Sequence, residues 1–132
     1  MSIDLLNEWL AGWNAHDGDR VASVFTEDCI YEDVTFGVVN HGHTELKAFV
    51  DGFVAVAPDC AFAPGAMFVA GDFAGAEWTV TGTQRGDMPG MPASGKPFSV
   101  RGSSIIELRD GKLHRCSDYW DLATFMRQLG FL

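Results

Sequence analysis

The stretch FSVRGSSIIELRDGKLHRCSDYW, residues 98–120, reads as two long strands joined by a tight turn. Its centre, Asp110-Gly111, carries the residue types a two-residue hairpin selects, because both positions must take positive φ. Apolar residues recur at period two on either side, over Phe98–Leu108 and Leu113–Trp120, as expected of strands with one buried face. The same period extends upstream through Ala61–Ala70 and Phe73–Gln84, with Gly71-Asp72 as the turn between them. A Gly-, Pro- and Met-rich loop, residues 85–97, separates the second strand from the third.

Before Cys60 the period is helical. Leu5, Leu6, Trp9, Leu10 and Trp13 share one face of a first helix, with Ser2 as its expected N-cap. Asn14–Asp19 breaks that helix, and a short second helix carries Val21, Val24 and Phe25. Cys29 to Val34 alternates like a strand. Thr44 is placed to cap a third helix with Leu46, Phe49, Val50, Phe53 and Val54 as its buried stripe, ended by Pro58. A last helix, Leu122–Leu129, lies between a capping Asp121 and a terminating Gly130. Helices followed by a meander of long strands predict one α+β domain over residues 1–132. In it, N-terminal helices pack on a curved antiparallel sheet that forms a cone with an internal pocket.

Composition narrows the function. The chain has 132 residues, enough for one core, with 47% apolar and 12% aromatic residues. Ten Phe and four Trp are more than a plain core of this size requires, which points to a cavity wall as well. A formal net charge of −9 argues against nucleic acid and against anionic membrane surfaces, since both recruit clustered Lys and Arg. Cys29, Cys60 and Cys116 are odd in number and widely spaced, so neither a disulfide framework nor a zinc site is expected, and a reducing cytoplasm is the default. His41-x-His43 has no downstream carboxylate motif to complete a metal site. Neither a signal peptide nor a membrane span is expected from the N-terminal or any other apolar run.

Asp118 is the most informative single residue. Aspartate is a poor strand former, yet it stands in the apolar strand Leu113–Trp120. Alternation alone leaves both faces open to it. Facing inward, it would share its side with His114, Cys116 and Trp120, and desolvation would raise its pKa towards the range useful for general acid/base work. Tyr31-Glu32-Asp33 offers a second carboxylate: one of Glu32 and Asp33 faces opposite to the other, on a solvated edge or into the pocket. Trp78 reads as core or cavity wall, and Arg101 as the partner of an acid on the outer face. Met88 and Met91, in the 85–97 loop, suit the cap of an apolar pocket, since Met adapts to varied ligands.

With these residues placed, the order of elements resembles the cone-shaped fold of nuclear transport factor, ketosteroid isomerase and scytalone dehydratase, and most of all the SnoaL-like polyketide cyclases. Three stretches carry the likeness. The first is Trp13-Asn14-Ala15-His16-Asp17 followed by Val24-Phe25-Thr26-Glu27-Asp28. The second is Gly82-x3-Gly86-x3-Gly90-Met91-Pro92 with Gly95-Lys96-Pro97-Phe98. The third runs from Asp110-Gly111-Lys112 to Asp118-Tyr119-Trp120-Asp121 and on to Arg127-Gln128-Leu129-Gly130. The resemblance implies ring closure by intramolecular aldol condensation without metal or cofactor, with Asp118 as acid/base, facing inward. A histidine of those cyclases falls on Ser104, which departs from their pattern and bears on ring closure. Against ketosteroid isomerase, Glu32-Asp33 resembles the base motif, but the oxyanion tyrosine falls near Trp9, which has no hydroxyl.

The sequence thus assigns catalysis to Asp118 and Asp33. It assigns an apolar small-molecule substrate to a wall of Trp13, Trp78, Ser104, His114, Trp120, Met88 and Met91, with no metal. A homodimer is expected through the sheet's outer face, around Val100 and Ile105. Two other readings stay open: a non-catalytic binding module, and an isomerase, dehydratase or hydrolase of the same fold.

Overall fold

The computed structural model describes residues 3–132; the expected Ser2 cap lies outside them. The chain runs α1 (Ile3–Asn14), α2 (Gly18–Ser23), β1 (Phe25–Asp33), β2 (Val38–His41), α3 (Gly42–Val56), β3 (Ala61–Ala70), β4 (Phe73–Thr83), β5 (Pro97–Arg109), β6 (Lys112–Trp120) and α4 (Leu122–Leu129). The architecture is α+β, with helices packed on one curved, unclosed sheet of order β2-β1-β6-β5-β4-β3. β3 to β6 form the antiparallel meander, and β1 joins it parallel to β6.

The turns follow their residues. Asp110 and Gly111 both take positive φ, 52° and 77°, as the β5–β6 hairpin needs. α4 is capped by the Asp121 side chain, which accepts from the Thr124 N–H, and it ends at Gly130 in the left-handed region. Two expectations at helix starts change. Thr44 lies inside α3, whose N-cap is His41; there the Glu45 side chain accepts from the His41 N–H at 2.8 Å. Phe25 begins β1 rather than ending α2, because Asp17 caps a helix of only one and a half turns. β2, a four-residue edge strand, went unread, being too short for a period to register.

The stripe Leu6, Trp9, Leu10 and Trp13 of α1 is buried against the sheet together with Leu46 and Val50 of α3. Each such side chain contributes roughly 1.5–3 kcal/mol through the apolar surface it removes from water. Asn14 pins the end of α1 to β3: its amide nitrogen donates to the Phe62 carbonyl at 3.0 Å, and its oxygen accepts from the Phe62 N–H at 2.7 Å. The end of α1 is therefore held at the edge strand of the sheet.

The sheet's outer face differs from expectation at one residue. Val100 points inward and is buried; Ile105, five positions on, points outward and is half exposed. Period two forbids both from sharing a face without a bulge between them. The outer apolar residues are Phe68, Phe73, Ile105 and Tyr119, with 56%, 53%, 51% and 47% of their surface exposed. The Phe68 ring lies over Gly75, which is directly opposite it in the ladder. Arg101 pairs with Glu77 on this face at 3.6 Å, as read from the sequence.

Candidate active site

Between helices and sheet lies a cavity of about 460 Å³, within the size range of small-molecule sites. Its wall is mostly apolar, with Trp13, Phe49, Phe53, Phe62, Trp78 and Trp120 among the lining residues. Three carboxylates break that surface: Asp118 of β6, Asp33 of β1 and, in the 85–97 loop, Asp87, which accepts from the Ala93 N–H at 2.8 Å. The first two stand together. They are register partners on adjacent parallel strands, which places them side by side on one face.

Asp118 is buried and heavily bonded. Its Oδ2 accepts from the Tyr31 hydroxyl at 2.6 Å and its Oδ1 from the Ser104 hydroxyl at 2.5 Å. Ser104 in turn accepts from the Trp78 indole N–H at 3.0 Å, so Trp78, Ser104 and Asp118 form a chain of donors ending on the carboxylate. The Cys116 thiol stands 3.5 Å from the same Oδ1. Burial pushes the Asp118 carboxyl up to about 6, opposed by the Ser104 and Tyr31 hydrogen bonds and reinforced by the charge of Asp33. Burial and the neighbouring carboxylate push the Tyr31 phenol and the Cys116 thiol well above their ordinary ranges, so both remain neutral donors.

Asp33 faces the cavity and Glu32 faces outward, where the Ser117 hydroxyl donates to it at 3.0 Å. Asp33 Oδ1 accepts from the Trp120 indole at 3.1 Å and from the Phe36 N–H at 3.0 Å, which fixes the β1–β2 turn against Trp120. Burial raises its pKa as well.

The other sequence-predicted residues divide. Trp13, Trp78, Trp120 and Met88 line the cavity. Ser104 touches Asp118 rather than the open space. Met91 is buried outside the lining, paired with Met88 across the turn Met88-Pro89-Gly90-Met91 through backbone bonds of 2.9 Å in both directions. His114 is not brought to the cavity: its Nδ1 meets Thr26 Oγ1 at 2.9 Å. A bulge is the reason, since Glu107 pairs with Arg115 but Leu108 with Leu113, leaving His114 as the extra residue and turning it off the face of Cys116 and Asp118.

Tyr31 is the residue that sequence reasoning missed. Its signal was parity: once Asp33 faces inward, Tyr31 two positions before it does too. Gln84 was also missed. Fully buried, it donates to the Met91 carbonyl at 2.9 Å and accepts from the Ser94 N–H at 3.2 Å, tying the loop that carries Met88 to the sheet.

A carboxyl raised towards neutrality thus stands between neutral donors in a cavity walled largely by aromatic rings. The family follows from the whole chain. The SnoaL-like polyketide cyclase model matches residues 3–129, and the chain belongs to that family. Among solved structures it is similar to TsrD from Streptomyces laurentii, with 29% identity over 98% of this chain and 94% of that one and a TM-score of 0.88. It shares the fold of a protein from Catenulispora acidiphila, described as having a ketosteroid isomerase-like fold and solved in complex with trimethylamine (19% identity, 100% of this chain and 96% of that one covered, TM-score 0.88). It also shares that of TerC co-crystallised with polyporic acid (20% identity, 97% of each chain covered, TM-score 0.79). No curated protein matches it in sequence.

Among the described residues no three His, Cys, Asp or Glu side chains group as metal ligands, and no helix is long and apolar enough to cross a membrane.

Proposed function

We propose that the chain is a cofactor-independent acid/base enzyme, acting as one SnoaL-like domain on an apolar carbonyl compound and closing a ring by intramolecular aldol addition. The observation that carries this is Asp118, buried in an aromatic cavity with its carboxyl pushed up to about 6 and both oxygens held by hydroxyl donors. The carboxylate takes a proton from the carbon beside a substrate carbonyl, and the electron pair moves into the enolate. The enolate carbon attacks a second carbonyl of the same molecule, forming the C–C bond. Protonated Asp118 then returns its proton to the new alkoxide, so atoms and charge balance without metal or redox partner. Asp33 raises the proton affinity of Asp118 and holds Trp120 in the wall.

Proton abstraction can be read without knowing the natural substrate. With α-tetralone in D₂O, the protein is expected to catalyse deuterium incorporation beside the carbonyl, followed by NMR. Because the carboxylate is the active base, kcat/KM should rise with pH, pass half-maximum near pH 6 and then level off. Absence of exchange, or a midpoint near 4, would count against Asp118 as the buried base.

The protein works as a homodimer in this reading, joined through the outer sheet face. Four half-exposed apolar side chains cluster there, more than a solvated face ordinarily presents. Light scattering at micromolar concentration is expected to give twice the 14.4 kDa chain mass, and Ile105→Asp to give the chain mass alone. A monomeric parent protein would remove the outer face from consideration.

A further inference from the structure

The cavity carries charge of one sign. Its described lining includes Asp33, Asp87 and Asp118, and no Lys, Arg or His. Asp33 and Asp118 accept from buried indole and hydroxyl donors. Asp87 is differently placed: it is exposed at the cavity's mouth, and only its Oδ1 is bonded, to the Ala93 N–H. No ion pair among the described residues includes it. The charge of Arg85, two residues earlier, bears on Asp59 instead. The loop that carries Asp87 is docked on the end of α3, where the Arg85 and Gly86 N–H groups donate to the Val56 carbonyl at 2.8 and 3.1 Å. A helix C-terminus holds partial negative charge and draws cations, yet the last turn of α3 has no basic residue. From that same turn Phe53 enters the wall, its ring 6.2 Å from those of Trp13 and Phe62, and aromatic faces are negative too. A carboxylate, a helix end and ring faces thus meet at one end of the cavity, and nothing in the wall answers them. A ligand that brings an anion there is repelled; one that brings a cation is held.

We infer that this end of the cavity is a subsite for a protonated amine of the ligand, with Asp87 as its specificity-determining counter-ion. This rests on the reading above in taking the cavity as the substrate site, and it adds a basic nitrogen to the otherwise apolar carbonyl compound. The ammonium stays at the mouth, where water still reaches it and the full cost of desolvating a charge is not met. The apolar body extends inward to Asp118. A ring compound of the same shape bearing a carboxylate is turned away.

Three probes of one shape read the subsite: 2-naphthylmethylamine, a cation at neutral pH; 2-naphthylmethanol, neutral; and 2-naphthoate, an anion. Calorimetric titration should give the amine an affinity about tenfold above the alcohol's, as expected of an exposed ion pair together with a cation–π contact. Naphthoate should bind more weakly than either. Asp87→Asn, which keeps an oxygen for the Ala93 N–H, should lower the amine's affinity about three- to fivefold and leave the alcohol's unchanged. Added salt should erode the same advantage, since the subsite is open to solvent. Asp110→Asn, which removes a negative charge outside the cavity, should leave it intact. Equal affinities for amine and alcohol, naphthoate binding as tightly as the amine, or an amine preference untouched by Asp87→Asn overturns the assignment. If α-tetralone exchanges its protons while the amine shows no preference, the acid/base reading survives and the subsite is wrong. If no probe binds and α-tetralone does not exchange, both fall.

Discussion

Replacing Asp118 with Asn is expected to lower turnover by roughly 10²–10⁴-fold, the contribution of one positioned acid/base group. The same change should stabilise the folded chain above pH 6. The carboxyl is raised from 3.8 to about 6 on burial, so the folded state binds the proton more tightly than the unfolded state does. The contribution of Asp118 to stability is therefore fully present below about pH 3.8 and is lost as pH rises through 6. By pH 8 the loss amounts to about 3 kcal/mol, since each pKa unit corresponds to about 1.4 kcal/mol. An amide has no charge to desolvate, and its groups can still pair: the oxygen accepts from Ser104, and the NH₂ donates to the Tyr31 oxygen. Denaturant melts of parent and variant at pH 4 and pH 8 check this. The gap in favour of Asn should open with pH while ligand affinity changes little. A variant that loses stability equally at both pH values, or that retains near-parental turnover, would put a binding module ahead of an enzyme.

Gly102→Val should destabilise the fold by roughly 1–3 kcal/mol, the range for overfilling a packed interior. Gly102 pairs with Trp78 across β4 and β5, and the indole occupies the space where any other residue would carry its Cβ. A Cβ there would stand 2.3 Å from the Trp78 ring, a stiff plane packed against Phe62. Moving the ring breaks the indole bond to Ser104 and so loosens the hydroxyl that steadies Asp118. The Ser104 hydroxyl's bond to Asp118 lowers the carboxyl's pKa, so weakening it should also shift the pH midpoint of exchange upward. A double-mutant cycle isolates the contact: in a Trp78→Leu background the penalty of Gly102→Val should shrink. Strict additivity of the two changes would show that the glycine serves something other than the indole.

Much of this was legible from residue order. The four meander strands follow from period two, and Asp118 announced itself as a poor strand former in an apolar run. What escaped was set by geometry that one chain position cannot carry. The extra residue at His114 rotates its side chain off the face of Cys116 and Asp118, and nothing in Leu113-His114-Arg115 marks a bulge. Val100 and Ile105 stand at odd spacing, so parity along β5 separates their faces. Tyr31 reads in sequence only as the neighbour of two acids, and its bond to Asp118 joins residues 87 apart in the chain.

The parallel pairing of β1 with β6 also sets when the site comes into being. The meander can assemble from neighbours through short hairpins, but β1 must wait for a strand most of the chain away, and closing so long a loop is slow. Until that step Asp33 and Asp118 are ordinary aspartates in water, with ordinary acidity. Their raised proton affinity comes with that pairing, which brings two carboxyls together out of solvent.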